Sequence, residues 1–323
     1  MPVSDEVISS VLRSVVPRIA SHRQKLLHNG ERRHPPFVLA LTGLQGSGKS
    51  TWASEIYQAL KNEYNFKVIA LSLDDLYLDH QGLVCTRESN PNNPLLRTRG
   101  QPGTHDDKLA RSFFESLASD QGEIVVPAFD KSKFDGEGDR VPRDQWECVG
   151  GESLVDVVIF EGWCVGFQPL PGNDLEKRWK AAKQARSAEK PENAEEDYST
   201  TTLGGHALEN LKKINANLQR YCETYMGPQH LDFLVHLDTN DLKNVYRWRI
   251  QQEHALWKAK GEGMTDAAVV AFVQGYMPSY ELYLDQLREG FFRDCVGADK
   301  AQLRILMEED RSVVEIREIS NGR

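Results

Sequence analysis

The stretch Phe37–Leu60, FVLALTGLQGSGKSTWASEIYQAL, constrains the fold more than any other. An apolar run leads into a turn carrying three glycines, and a helical pattern follows. Gly43, Gly48, Lys49 and Ser50 fit the phosphate-loop spacing G-x-x-x-x-G-K-[ST]. The residue types suit phosphate chemistry. Glycines at 43, 46 and 48 let the backbone approach an anion closely, and consecutive N–H groups can then converge on its oxygens. The start of the following helix adds positive potential. Gln45, Ser47 and Thr51 complete the loop expected to wrap the phosphates. Lys49 is expected at the terminal phosphates of ATP and Ser50 on Mg²⁺.

A chain of 323 residues can bury a large core. Its net charge of −9 argues against a broad nucleic-acid surface or an anionic membrane as partner. No apolar run is long enough to span a bilayer. Asp5 and Glu6 stand where a secretory signal needs basic residues, and they also disfavour a transit peptide. Instead Ile8, Val11, Leu12, Val15 and Ile19 share one face of an N-terminal helix over about 4–24. The five cysteines are widely spaced with no C-x-x-C pair, which reads as reduced thiols rather than a zinc site. A cytoplasmic location is expected, with the nucleus also open, and a monomer.

Strands are expected at Phe37–Leu41, Val68–Leu73, Ile124–Pro127, Val155–Phe160, Phe233–Leu237 and Val313–Ile319. Helical patterns separate most of them: Thr51–Glu63, Asp107–Leu117, Leu208–Tyr225, Leu242–Lys258 and Thr265–Leu287. This alternation implies an α/β fold with ligands at the carboxyl ends of a parallel sheet. Asp79–Gly103 reads as a long functional loop without periodicity. The segment 174–206 begins with charged helix formers and passes into EKPENAEEDYSTTTLGGH, the composition of a mobile insertion within a single domain 1–323.

A kinase needs a base or orienter for its acceptor and a carboxylate for Mg²⁺, both at strand ends beside the loop. Asp74 and Asp75 follow the second strand and Glu161 the fourth. One of the two aspartates is expected to serve only as a helix cap or in a surface ion pair. Glu161 directly follows a buried run, so it must be paired or metal-bound.

With these residues the sequence resembles the uridine kinase, phosphoribulokinase and pantothenate kinase superfamily. Asn93-Pro94-Leu95-Leu96-Arg97-Thr98-Arg99-Gly100-Gln101-Pro102-Gly103-Thr104-His105-Asp106 narrows the likeness, as do Asp130–Lys133, Gly138–Arg140, Glu161–Phe167, Tyr246–Glu253, Gly263–Asp266 and Tyr276–Pro278. Together they are similar to the D-glycerate 3-kinase family, including fungal members described as probable ATP-dependent kinases. The resemblance runs from Pro36 to about Tyr283, apart from a longer 174–206 segment. It implies a P-loop parallel sheet with helices on both faces, and ATP and Mg²⁺ as cofactors. It also places Asp74 as the base-like aspartate, Asp75 as the extra acid of the glycerate branch, Glu161 on the metal and Arg247 in the lid.

The remaining expectations concern the acceptor. Asp75, Tyr77, Arg97, Arg99, His105, Lys131 and Lys133 are candidate contacts for a small anionic hydroxylated substrate, most directly D-glycerate. His105 reads equally well as a surface turn residue. Lys131 and Lys133 share a side only if the segment is extended. Thr104 and Asp107 fit a capping box. Arg247 and Arg249 cannot both face a nucleotide, and Arg247 is taken as the phosphate ligand because Glu253 stands one turn from Arg249. Trp163, Cys164 and Phe167 are expected in the core. Another acceptor, such as a nucleoside, sugar or pantothenate-like alcohol, is the alternative within enzymes. A non-catalytic ATP-dependent interaction module is the alternative outside them.

Overall fold

The computed structural model describes residues 3–28, 35–118, 123–149, 155–188, 198–295 and 299–320. In chain order, α1 (Asp5–His28), β1 (Phe37–Gly43), α2 (Lys49–Asn62) and β2 (Val68–Ser72) come first. Then follow α3 (His80–Ser89), α4 (Asp107–Ala118), the short strands β3 (Ile124–Val126), β4 (Phe129–Asp130), β5 (Asp139–Arg140) and β6 (Glu147–Val149), and β7 (Val157–Gly162). The last part holds α5 (Gly172–Ala188), α6 (Leu208–Tyr221), β8 (Phe233–Asp238), α7 (Lys243–Lys260), α8 (Asp266–Gln274), α9 (Met277–Glu289), β9 (Ala301–Met307) and β10 (Val313–Ser320).

The main sheet has the order β10-β9-β8-β1-β7-β2. All neighbours are parallel except β10, which runs antiparallel to β9. Helices cover both faces of this α/β sheet, so β1 and β8 are buried along their whole length and β7 along Val157–Phe160. That double covering is why these strands read as unbroken apolar runs. The expected face of α1 is buried, from Ile8 to Ile19. Register sets Glu161 level with Leu41 of β1 and Ser72 of β2, so the ends of three strands meet beside the glycine loop.

Several expectations need correction. Ile124–Val126 is a strand, but it pairs antiparallel with β6 outside the main sheet. The fifth parallel strand is β9, whose pattern is broken by Gln302 and Arg304. Both polar residues serve buried partners: Gln302 accepts from the Phe291 N–H and donates to the Leu287 carbonyl, while Arg304 pairs with the buried Asp238. Asp79–Gly103 is no structureless loop, because it contains α3, capped by Asp79. Only Leu83 of that helix is buried, so no apolar stripe announces it. Thr265–Leu287 is two helices, broken at Gly275 and Tyr276, with Pro278 in the first turn of the second. The α4 cap is Asp106, which accepts the N–H groups of Lys108 and Leu109, rather than Thr104 with Asp107.

The expected mobile insertion is largely built into the fold. Its first half lies in α5, where Trp179 donates to the His206 carbonyl. Tyr198 stacks on Tyr246 with centroids 4.9 Å apart. Glu281 accepts from Thr202 N, Thr202 Oγ1 and Leu203 N at 2.7–2.9 Å. A few tyrosine and leucine anchors outweigh the polar composition. Residues 189–197 of that expectation lie outside the described residues.

Candidate active site

β1 runs into the loop Leu44–Gly48, and α2 begins at Lys49. Gly46 and Gly48 take left-handed backbone angles, φ 80° and 90°. A Cβ on Gly46 would stand 2.6 Å from the Cβ of Trp248, so α7 lies directly against the loop. Three other contacts fix its shape. Gln45 N–H donates to Tyr280 Oη at 3.1 Å, Ser47 N–H to the Leu44 carbonyl at 3.1 Å, and Arg311 Nε to the Gly46 carbonyl at 2.9 Å. Arg311 also reaches the Trp248 carbonyl, tying the β9–β10 turn to α7. No side chain caps α2, which leaves its first N–H groups for an anion.

Lys49 Nζ rests 3.3 Å from the Leu44 carbonyl. Burial pulls its pKa down while the charges of Glu161 and Asp74 oppose the shift. Ser50 Oγ donates to Glu161 Oε1 at 3.1 Å. Thr51 is exposed on a cavity of about 520 Å³, lined also by Ser47, Gly48, Trp52, Gln251 and Arg311.

The two aspartates after β2 separate cleanly. Asp75 closes a capping box with Ser72: its carboxylate accepts the Ser72 N–H at 3.1 Å and, through its other oxygen, the Phe129 N–H at 3.4 Å. Burial raises its pKa to about 6. It holds the turn, and it also lines a cavity with Ser50 and Glu161. Asp74 projects instead, hydrogen-bonded by Lys131 and Tyr77. Burial works against its charge, yet Lys131 and His105 hold its pKa below the ordinary value.

The acceptor candidates divide in the same way. Tyr77 and His105 are buried and stacked on each other, with centroids 4.4 Å apart, so His105 is no surface turn residue. Lys131 sits on Asp74, whereas Lys133 points to Asp139 at 4.0 Å. They diverge because the segment after Asp130 turns instead of extending. Arg99 donates to the carbonyls of Gly136 and Glu137 and lies over the rings of Tyr77 and Phe129. Arg97 is exposed at the mouth of a small pocket lined by Leu83, Arg87, Asp135 and Glu137.

The two arginines of α7 are engaged differently. Arg247 is occupied by Asn244 at 3.0 Å, Glu309 at 3.2 Å and Asp241 at 3.5 Å. Arg249, paired with the buried Glu253, lies over Phe272, and its charge is felt by Tyr276 together with those of Asp74 and Arg99. Two positions apart on a helix, the side chains leave on opposite sides, and Arg249 is the one whose charge reaches Tyr276. Sequence reasoning also passed over Tyr276, Tyr280 and Arg311. The first falls in the Tyr276-Met277-Pro278 motif, which gave a signal without a role. Tyr280 and Arg311 offered none, because each acts through a backbone atom of the loop. Trp163, Cys164 and Phe167 are buried as expected, and Trp163 donates to the Gly100 carbonyl.

The chain is 38% identical over 278 residues to an uncharacterized kinase of Schizosaccharomyces pombe, covering 85% of this chain and 89% of that one. It is 36% identical over 290 residues to a probable ATP-dependent kinase of Saccharomyces cerevisiae, covering 86% and 87%. With the chloroplastic D-glycerate 3-kinase of Arabidopsis thaliana it shares 32% identity over 299 residues, 90% of this chain and 58% of that one. Among solved structures, D-glycerate 3-kinase from Cryptococcus neoformans superposes with a TM-score of 0.78 at 31% identity, covering 98% and 100%. No protein-family model matches the chain.

Proposed function

The chain belongs to the D-glycerate 3-kinase family of P-loop kinases and is an ATP-dependent phosphotransferase, and we propose that its acceptor is a hydroxyl of a small hydroxy acid, D-glycerate first. The carrying observation is the placement of Asp74, a carboxylate held ionised at a strand end and surrounded by Lys49, Lys131, Arg99 and Arg249 within electrostatic range of it or its tyrosines. Such a site has a proton acceptor. Lys131 and Arg99 add positive charge beyond Lys49 facing Glu161 and Arg249 paired with Glu253. That charge suits a γ-phosphate and an acceptor carboxylate together.

In this reading the uncapped N–H groups of the loop cradle the phosphates, and Lys49 spans the terminal pair. The cavity beyond Thr51 receives the nucleoside. Ser50 and Glu161 would hold Mg²⁺, whose donor preference for hydroxyl, carboxylate and phosphate oxygens they fit. When bound, that ion neutralises charge between the phosphates. Asp74 accepts the proton of the attacking hydroxyl, and Lys131 turns from Asp74 toward the acceptor's carboxylate. Arg249 takes the place expected of Arg247 beside the transferring group. Arg99 orders the loop around Tyr77, and its guanidinium adds to the field. Catalysis is positioning and electrostatics, with no covalent enzyme intermediate.

An ADP-release assay over D-glycerate, other hydroxy acids, nucleosides, sugars and pantothenate tests this. Turnover is expected with glycerate or a close hydroxy acid. Efficient phosphorylation of a neutral alcohol, with none of any hydroxy acid, would overturn the acceptor assignment.

A further inference from the structure

His105 carries a constraint that its surroundings fix completely. Tyr221 Oη accepts the Gly103 N–H at 2.7 Å and the His105 N–H at 3.1 Å, and it lies 3.0 Å from His105 Nδ1. A hydroxyl has two lone pairs and one proton. Both lone pairs are taken by backbone donors, so the proton must go to Nδ1. Burial keeps the ring neutral, with its pKa pushed down to about 3, and a neutral imidazole with Nδ1 as acceptor carries its proton on Nε2. That Nε2 is buried and has no hydrogen-bond partner among the described residues.

An unpartnered buried donor costs stability and marks a place where a partner arrives. The ring lies against Tyr77, whose hydroxyl is bonded to Asp74. Resting on the reading that the acceptor binds beside Asp74, we propose that the His105 Nε2–H donates to an oxygen of that acceptor, with Tyr221 as the positioning residue that fixes the tautomer. The arrangement selects for a hydroxyl or carboxylate oxygen at this point. A group presenting its own N–H there would meet a donor and be refused.

The test uses protein labelled with ¹⁵N at its nine histidines, with His105 assigned by its loss in His105→Phe. Nε2 is expected to carry the proton in the free protein. Its resonance is expected to move when the acceptor that wild type uses best is added with a non-hydrolysable ATP analogue. In kinetics, His105→Phe keeps the stack on Tyr77 and should raise the acceptor KM by roughly 10-fold or more, leaving the ATP KM unchanged. His105→Gln, whose amide N–H can reach the same place, should recover part of the loss. A proton found on Nδ1, an unmoved Nε2 signal at acceptor saturation, or an unchanged acceptor KM in His105→Phe would each overturn the proposal. Use of a neutral acceptor alone would defeat the hydroxy-acid reading, and the same measurements on that acceptor would still decide the role of His105.

Discussion

Ser50 Oγ and Glu161 Oε1 lie 3.1 Å apart, one from the first turn of α2 and the other from the end of β7. Mg²⁺ holds its ligands at about 2.0–2.1 Å in an octahedron, so neighbouring ligand oxygens stand about 3 Å apart. The two groups are therefore already spaced as adjacent ligands. Among the described residues there is no cluster of three or more His, Cys, Asp or Glu able to hold a metal.

Glu161→Gln should consequently leave metal-free ATP binding near wild type and abolish the gain that Mg²⁺ brings. Titrating ATP by calorimetry with and without Mg²⁺ checks this. If the variant kept the full Mg²⁺-dependent gain, Glu161 would have no place on the metal.

Asp74 and Asp75 should fail in different ways. Asp74→Asn removes the proton acceptor and should lower kcat by about 10²–10⁴-fold with little change in melting temperature. Asp75→Ala breaks the capping box with Ser72 and the bond to Phe129, costing about 1–2 kcal/mol of stability. Thermal melts beside steady-state kinetics separate the two. A stable, inactive Asp75→Ala protein with an active Asp74→Asn one would reverse the assignment.

That separation shows how far the sequence could be read. The loop, the strand ends and the identities of Asp74 and Glu161 are local: spacing and apolar runs specify them. Which aspartate faces substrate depends on a backbone donor at Phe129, 54 positions from Asp75, and no local pattern encodes it. The surroundings of Arg249 were illegible for a similar reason. Glu253 suggested a surface pair for Arg249, but that glutamate is buried, accepting the Met264 N–H, and Arg249 lies over Phe272 of α8. β9 escaped notice because its polar residues are satisfied by the distant Phe291 and Asp238.

The two arginines of α7 give a direct comparison. Arg249→Met should lower kcat by about 10²-fold, the usual scale for losing one preorganised charge at the reacting group. Arg247→Met should fall far less, because its guanidinium is engaged by Asp241, Asn244 and Glu309. Single-turnover rates at saturating ATP provide the measurement. A larger loss in Arg247→Met would restore the lid role to that residue.

The return segment after α5 should contribute to stability despite its composition. Glu281→Ala leaves three donors on Thr202 and Leu203 without their acceptor, a loss of about 1–3 kcal/mol. Urea unfolding of the variant should show a lower midpoint with the same slope. An unchanged midpoint would mean that Tyr198 and Leu203 anchor the segment without Glu281.

Acid should destabilise the protein in two stages, both set at the end of β8. His236 is buried, and burial pushes its pKa down to about 4. Between about 6.5 and 4 the unfolded chain takes up a proton that the folded state refuses, so stability falls as pH drops through that window, by at most about 3 kcal/mol. His105, pushed down to about 3, acts with the same sign. Asp238 behaves in the complementary way. Burial opposes its charge, but His236 and the guanidinium groups of Arg288 and Arg304, bonded at 2.8 Å and 2.6 Å, hold its pKa at about 2. Its contribution is complete above about 3.8 and disappears as pH falls toward 2. Unfolding free energies at about pH 7, 5 and 3 should thus decline at each step, offset in part by Asp75, which takes up its proton near pH 6 in the folded state. His236→Gln should remove about half of the histidine part of the first decline, His105 supplying the rest. Asp238→Asn should cost about 3–5 kcal/mol already at neutral pH, because it leaves two arginines facing each other without their shared counter-charge. Equal stability at pH 7 and 5 in the wild type would show that His236 and His105 take up protons in the folded state and are not held neutral by burial.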